Sequence, residues 1–284
     1  MSLRVNTNVT AFDAYRNLSA TDMAMSSSLQ KLSSGSRINS AADDASGLVI
    51  SQNIKAQIGG IGQAVSNAQD GISVVQTAEG ALNEVASMLQ RMRDLSVQAA
   101  NSGANGGYSG TAVAAANAEV AQLQQAIDQI ASTTQFNGTK LLDGSAGTLT
   151  FQVGANSGET LTIALKSMDS ASLGTTTGTN VGAIDLTSSA SAASDAIKTL
   201  DAAISDVSTF RGTLGATENR LTHVVANLSV TKENLSASES RIADTDMASE
   251  MTNFSKQQIL MQAGTSMLAQ ANSAPQAVLS LLRG

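Results

Sequence analysis

Very few side chains in this 284-residue chain could do chemistry: His223 is the only histidine and there is no cysteine. Acid–base work or a zinc site needs several such groups converging on one point, and a single histidine cannot supply them. His223 follows Thr222 and precedes Val224-Val225 inside a long apolar-periodic stretch, so it reads as a surface or seam residue. Asp43-Asp44 is a carboxylate pair that could hold a hard cation, but such ions take six or more oxygen ligands and no further carboxylate lies nearby in sequence. The pair stands where a long helix begins, where carboxylates cap free N–H groups and complement the helix dipole. Gly59-Gly60-Ile61-Gly62 resembles a phosphate loop only faintly: it lacks the Lys-Ser/Thr ending and follows no strand. Its three glycines point to close packing or a bend. Asn8, Asn17, Asn137, Asn227, Asn234 and Asn253 begin Asn-x-Ser/Thr sequons, which are background in a chain this rich in Ser, Thr and Asn. The sequence therefore predicts no catalytic, metal-binding or cofactor-binding residues.

Composition narrows the classes further. The chain is 42% hydrophobic but 2% aromatic, with no Trp and one proline, Pro275. Its apolar inventory is Ala, Leu, Val, Ile and Met, which suits thin helix–helix seams better than a thick core. A net charge of −7 argues against nucleic acid and anionic membranes as partners, since both call for clustered Lys and Arg. The N-terminal stretch Met-Ser-Leu-Arg-Val-Asn-Thr-Asn-Val has no apolar h-region, so no cleaved secretory signal is expected. No apolar run reaches bilayer-spanning length. A chain of this kind that leaves the cell needs a dedicated export route.

The elements that would position anything are long helices. Leu200, Val207, Leu214, Leu221, Leu228, Leu235 and Ile242 recur at sevens, with Ile197, Ile204 and Val225 three residues ahead of members of that row. This is the 3-4 alternation of a coiled-coil seam. A helix over about 190–243 would be roughly 80 Å long and needs an equally long partner. The stretch from Asp44 to Ala100 supplies one, with Ile61, Ala68, Val75, Leu82 and Leu89 at sevens and Val65, Ile72 and Ala86 beside them. Shorter helices flank the long ones. Residues 3–33 carry Ala11, Leu18, Met25 and Leu32; residues 246–282 carry Met247, Phe254, Met261 and Leu268, with a parallel stripe of Leu260, Met267, Ala274 and Leu281. Like-sized helices pair antiparallel if the chain turns back at its middle.

That middle has its own signals. Gly103–Gly110 ends the first long helix, and Val113, Ala116, Val120, Leu123, Ile127 and Ile130 predict another over about 111–133. Leu149, Phe151 and Val153 alternate with polar residues, five turn residues (154–158) follow, and Leu161, Ile163 and Leu165 alternate again: a β-hairpin. Residues 166–190 are rich in Ser, Thr and Gly, with one further strand expected at Val181–Leu186. The fold class is mainly α: a long antiparallel coiled-coil-like helical rod with paired termini and a small β-hairpin region at the turn-back point. The expected divisions are 1–43 with 244–284 as paired terminal helices, 44–165 with 190–243 as a long-helix bundle carrying the hairpin, and 166–189 as a short variable segment. Leu18, Met25, Leu32, Phe254, Met261, Met267, Leu268 and Leu281 form the candidate assembly seam, because helices with more than one apolar stripe cannot satisfy every stripe within one molecule.

Motifs at both ends go beyond periodicity. Ser28-Leu29-Gln30-Lys31-Leu32-Ser33-Ser34-Gly35 and Arg37-Ile38-Asn39-Ser40-Ala41-Ala42-Asp43-Asp44 resemble the N-terminal signature of bacterial flagellins. Thr133-Thr134-Gln135-Phe136-Asn137-Gly138 and Phe151-Gln152-Val153-Gly154 are similar to that family's middle segments. Ala237–Ile242, Asp244–Met247, Gln262-Ala263-Gly264 and Ala274–Leu279 resemble its C-terminal half. The resemblance covers about 1–165 and 190–284 and implies a filament subunit for motility: a homopolymer, extracellular, exported by the flagellar type III apparatus. It implies a chaperone, a cap and hook-junction proteins as partners. A hook–filament junction protein shares the terminal helices, and a secreted enzyme on the same scaffold would need an inserted catalytic domain that 166–190 is too short to hold. Gln90-Arg91-Met92-Arg93-Asp94-Leu95 resembles the stretch read by the vertebrate flagellin-sensing Toll-like receptor, which implies Arg91, Leu95 and Glu119 as receptor contacts. Asp94 stands where that pattern commonly has Glu.

Overall fold

The computed structural model describes residues 7–101, 110–175, 178–189 and 191–283, with side chains as far as 273. The glycine-rich stretch expected to end the first long helix, and the side chains of Ala274 and Leu281, lie outside what is described. Five helices dominate: α1 Val9–Ser34, α2 Ala45–Ala100, α3 Thr111–Thr133, α4 Ala192–Ala243 and α5 Met247–Arg283. Between α3 and α4 lie two antiparallel hairpins, β1 Gln135–Phe136 with β2 Thr139–Lys140, and β3 Thr148–Gln152 with β4 Thr160–Ala164. The chain forms two compact units that divide within α2 and α4, one holding the described residues up to Ile58 and from Glu233 onward, the other Gly59–Lys232.

In the Gly59–Lys232 unit the heptad rows become the core. Ala68, Val75, Leu82 and Leu89 of α2 and Leu200, Val207, Leu214 and Leu221 of α4 are all buried, together with Val113, Val120 and Ile127 of α3. The large hairpin lays Leu161, Ile163 and Leu165 onto that core, and its register pairs Leu149 with Ile163 and Phe151 with Leu161. Its five-residue loop is closed by the Val153 N–H donating to the Glu159 carbonyl at 2.9 Å. One glycine of the run in α2, Gly60, has a packing reason. A Cβ on Gly60 would stand 3.0 Å from that of Ala155, so the bare backbone lets the hairpin loop lie on the helix. The run sits inside a continuous helix and forms no phosphate loop. The small hairpin turns through Asn137 and Gly138, both at positive φ (48° and 81°), the Asn-Gly chemistry that two-residue hairpin turns require.

The segment after the hairpins departs from expectation. Val181–Leu186 is not a strand: Val181–Ala183 is a turn of 3-10 helix, and no neighbouring strand pairs with it. Side chains of α3 take the place of a ladder. The Gln124 amide donates to the carbonyls of Val181 (2.8 Å) and Ile184 (3.2 Å), Asn117 accepts the Leu186 N–H (2.9 Å), and the Asp128 carboxylate accepts both the N–H and the hydroxyl of Ser170. Met168, Leu173, Val181, Ile184 and Leu186 are buried, so this Ser-, Thr- and Gly-rich stretch contributes to the core.

The other unit is built differently. Helix α1 starts at Asn8, whose side chain accepts the Ala11 N–H (3.1 Å) and donates to the Ala271 carbonyl (2.7 Å). It ends at Gly35 in the left-handed conformation. Contacts of 8 with 271, 18 with 264 and 35 with 245 fix α1 and α5 as antiparallel. Glu239 of α4 accepts from Ser51 (3.3 Å) and pairs with Lys55 (3.1 Å), both on α2. Asp44 caps α2 by accepting the Gly47 N–H at 2.8 Å. Asp43 instead closes the preceding turn, accepting the N–H groups of Asn39 and Ser40 and the Ser40 hydroxyl. The Ser40 and Asn39 backbone bonds hold its carboxyl below the usual carboxylate range. A group held low contributes stability above its unfolded value, about 3.9 for Asp, and that contribution is lost as pH falls through the folded value. Exchange at the Asn39 and Ser40 amides should accelerate, relative to neighbouring exposed amides, below about pH 4 in the native chain. In Asp43→Asn it should lack that acid-dependent step; an identical profile in the two would remove Asp43 from this role.

Candidate assembly interface

The residues that stand out are apolar side chains on the α1–α5 pair. Leu18, Met25 and Leu32 of α1 and Phe254, Met261 and Leu268 of α5 are half-buried between the two helices. Gly264 makes room for Leu18, because a Cβ there would meet Leu18 Cδ1 at 3.0 Å. Those six seam positions therefore face the partner helix within the molecule. Met267, from the same expected seam, is 65% exposed, and Leu260 is exposed beside it. At 100° per residue they lie roughly a quarter-turn round α5 from the Phe254–Leu268 row, and Ile259 lies on the opposite face.

Helix α1 has the same property, which heptad counting alone did not reveal. Phe12 and Met23, 68% and 65% exposed, lie on the side of the helix away from Leu18 and Met25, and Tyr15, 64% exposed, lies on the flank between, about 60–80° round from that seam. The signal was available in sequence as an i, i+3, i+11 row of large apolar residues. Among the described residues of this unit, the only apolar side chains buried as deeply as those in the other unit's core are Ile38 and Ala243. Contiguous exposed apolar rows of this size on a polar molecule mark contact surfaces for other chains.

The other named positions lie in the Gly59–Lys232 unit. Arg91 Nε of α2 donates to Glu119 Oε1 of α3 at 2.7 Å, and both side chains are exposed. Glu119's hydrogen bond and charge, with Asp94 adding to them, favour the charged guanidinium. Arg93 makes a matching pair with Asp201 of α4 at 2.6 Å. Leu95 is 3% exposed, packed in the core with Met92, so its side chain supports the Arg91 turn from beneath and offers no surface. The 3-4 spacing of Leu89, Met92, Leu95 and Ala99 carries that information in the sequence.

His223 is exposed on α4, and among the described residues no group of three or more His, Asp or Glu is placed to hold a metal. A groove of about 530 Å³ runs between β4, the 166–175 loop and α4, past Lys166, Met168, Asp206, Phe210 and Thr213. The Thr213 and Thr217 hydroxyls there donate to carbonyls of their own helix.

The two halves of the chain match two family models. Residues 5–147 match the bacterial flagellin N-terminal helical region, and residues 197–282 match the bacterial flagellin C-terminal helical region. The chain belongs to the bacterial flagellin family. It is 48% identical over 283 residues to a flagellin of Halalkalibacterium halodurans, covering 98% of this chain and 99% of that one. It is 43% identical to a flagellin of Bacillus subtilis, covering 99% and 100%. Against the flagellar filament 33 kDa core protein of Treponema phagedenis it is 44% identical, covering 98% and 99%. Among solved structures, a flagellar hook-associated protein from Vibrio parahaemolyticus aligns with a TM-score of 0.61, covering 71% of this chain and 100% of that one. At 17% identity that likeness concerns the fold alone. Flagellin membership accounts for the fold class and for the motifs at both ends.

Proposed function

We infer that this chain is a structural subunit that polymerises with copies of itself into the bacterial flagellar filament, outside the cell, for motility. The observation that carries this is the two-sided apolar character of α1 and α5. One row of each helix is satisfied by the other, and Phe12, Tyr15, Met23, Ile259 and Met267 are left for neighbouring copies. Full-length similarity to flagellins, including a filament core protein, supports a filament subunit over a hook–filament junction protein. A structural role, and not an enzymatic one, is what membership of the flagellin family supports. No helix among the described residues is long and apolar enough to cross a membrane. The export apparatus, chaperone, cap and hook-junction proteins of the flagellum are its partners in delivery and placement. Electron microscopy of purified protein added to short filament seeds tests the reading. Long tubular filaments are expected; a monomer that never elongates the seeds contradicts it.

A second partner is the vertebrate flagellin-sensing Toll-like receptor, with Arg91 and Glu119 as its surface contacts and Leu95 holding the helix beneath them. Arginine presents several donors in a fixed planar fork and is enriched among residues that dominate binding. Breaking the exposed Arg91–Glu119 pair costs the free chain little, since such pairs are screened by solvent. Arg91→Ala should lower receptor activation by monomer about tenfold or more with the fold intact. An unchanged dose response would take Arg91 out of the interface.

A further inference from the structure

The connection from α1 to α2 and the connection from α4 to α5 lie side by side in the unit formed by the chain ends. The Thr245 N–H donates to the Gly35 carbonyl at 2.9 Å, the Arg37 N–H donates to the Ala243 carbonyl at 2.7 Å, and Ser36 faces Asp244 as a single antiparallel bridge. The Arg37 side chain adds to this ladder. Its Nε and Nη2 both donate to the Ile242 carbonyl, at 3.2 and 2.6 Å. Ile242 and Ala243 are the last two residues of α4, where carbonyls have no helical N–H to meet and where the helix dipole favours a cation. Arg241, the basic residue of that last turn, is turned to the Ser238 hydroxyl instead, so Arg37 supplies the cap from another part of the chain. Arg37 makes no ion pair among the described residues, and the buried Ile38 and Ala243 flank the clasp.

We propose that Arg37 is a positioning residue for polymerisation: by clamping both connections to the end of α4, it sets the α1–α5 pair at one angle to Ala45–Ile58 and Glu233–Ala243. The inference rests on the filament reading. A helical polymer requires every copy to present its contact rows in one orientation, and α5 is long enough to magnify error. At 37 residues it spans roughly 55 Å, so a swing of about 5° at the clasp moves its far end by about 5 Å. That is about one helical turn at the far end; Ile259 and Met267, about 18 and 30 Å along the helix, shift by about 1.5 and 2.5 Å, enough to spoil side-chain packing against a neighbour's row. The backbone alone contributes two hydrogen bonds on an exposed turn. The two-donor guanidinium on Ile242 fixes their twist.

The test compares native protein, Arg37→Ala and Arg37→Lys, each polymerised on native seeds and imaged by electron microscopy. Native protein that fails to elongate contradicts the filament reading, whatever the variants do. If native protein elongates, Arg37→Ala should elongate at least tenfold more slowly, and its filaments should spread over more than one helical repeat. Arg37→Lys keeps a cation that can reach the Ile242 carbonyl and should restore a single repeat at an intermediate rate. Arg37→Ala filaments with the native rate and repeat would overturn the proposal. So would slow growth into filaments of the single native repeat, the mark of a role in stability alone. If Arg37→Ala makes no filaments, Arg37→Lys decides: a single native repeat upholds the proposal, and no filaments or mixed repeats overturn it.

Discussion

Removing residues 247–284 should abolish filaments while leaving the Gly59–Lys232 unit folded. The main buried cluster runs from Ala68 to Leu221 and contains no residue of α5. Leu82, Leu89, Leu200, Leu214 and Leu221 have their partners on α2, α3, α4 and the large hairpin, so the core should keep its native denaturation midpoint in urea. The α1 side of the other unit should fare differently. Without Phe254, Met261 and Leu268, the Leu18–Met25–Leu32 row loses its cover, and α1 becomes a 26-residue helix with apolar residues wet on both sides. Helices in proteins draw most of their stability from packing an apolar face, and here none would be packed. The truncation also removes the Ile259 and Met267 surfaces that would be covered by neighbouring copies. Sedimentation of a seeded reaction should find all truncated protein in the supernatant, with a native-like urea transition by circular dichroism. Filaments from the truncated chain would refute the role given to α5.

Much of this architecture was legible in the sequence because its apolar residues do one job. Seven-residue rows located α2 and α4, and the four N-terminal members of the α4 row, Leu200 to Leu221, are buried as expected. Leu228, Leu235 and Ile242 continue the row but are only half-buried, since periodicity names the face of a helix and not how many layers cover it. The large hairpin was legible for the same reason, through clean alternation on both strands and a glycine-bounded loop. The 166–189 segment was not. Its irregular path is set by Asn117, Gln124 and Asp128 bonding to backbone, and single polar residues on a helix face leave no periodic trace. The clasp was hidden likewise, because Arg37 reaches a carbonyl 205 residues away and any carbonyl has the same sequence signature: none. Leu95 shows the reverse case. A motif resemblance offered it as a receptor contact; its side chain is buried, and the 3-4 spacing with Met92 and Ala99 is the trace of that burial in the sequence.

The two units differ most in how much apolar surface each buries alone. The long-helix unit has a continuous dry core, while the unit of α1 and α5 leaves Phe12, Tyr15, Met23, Ile259 and Met267 open to water. Full burial of each such side chain is worth about 1.5–3 kcal/mol, and a neighbouring copy is the means of achieving it. Folding of the ends and polymerisation are therefore one coupled process: helices with a half-dry seam are marginal until a second face is covered. Amide hydrogen exchange, followed residue by residue in monomer and in filament, tests this most directly. In the monomer the amides of α1 and α5 should exchange at least about a hundredfold faster than those of Leu82, Leu89 and Leu214, and in the filament that gap should close. Ends as strongly protected in the monomer as the long-helix core would contradict the account.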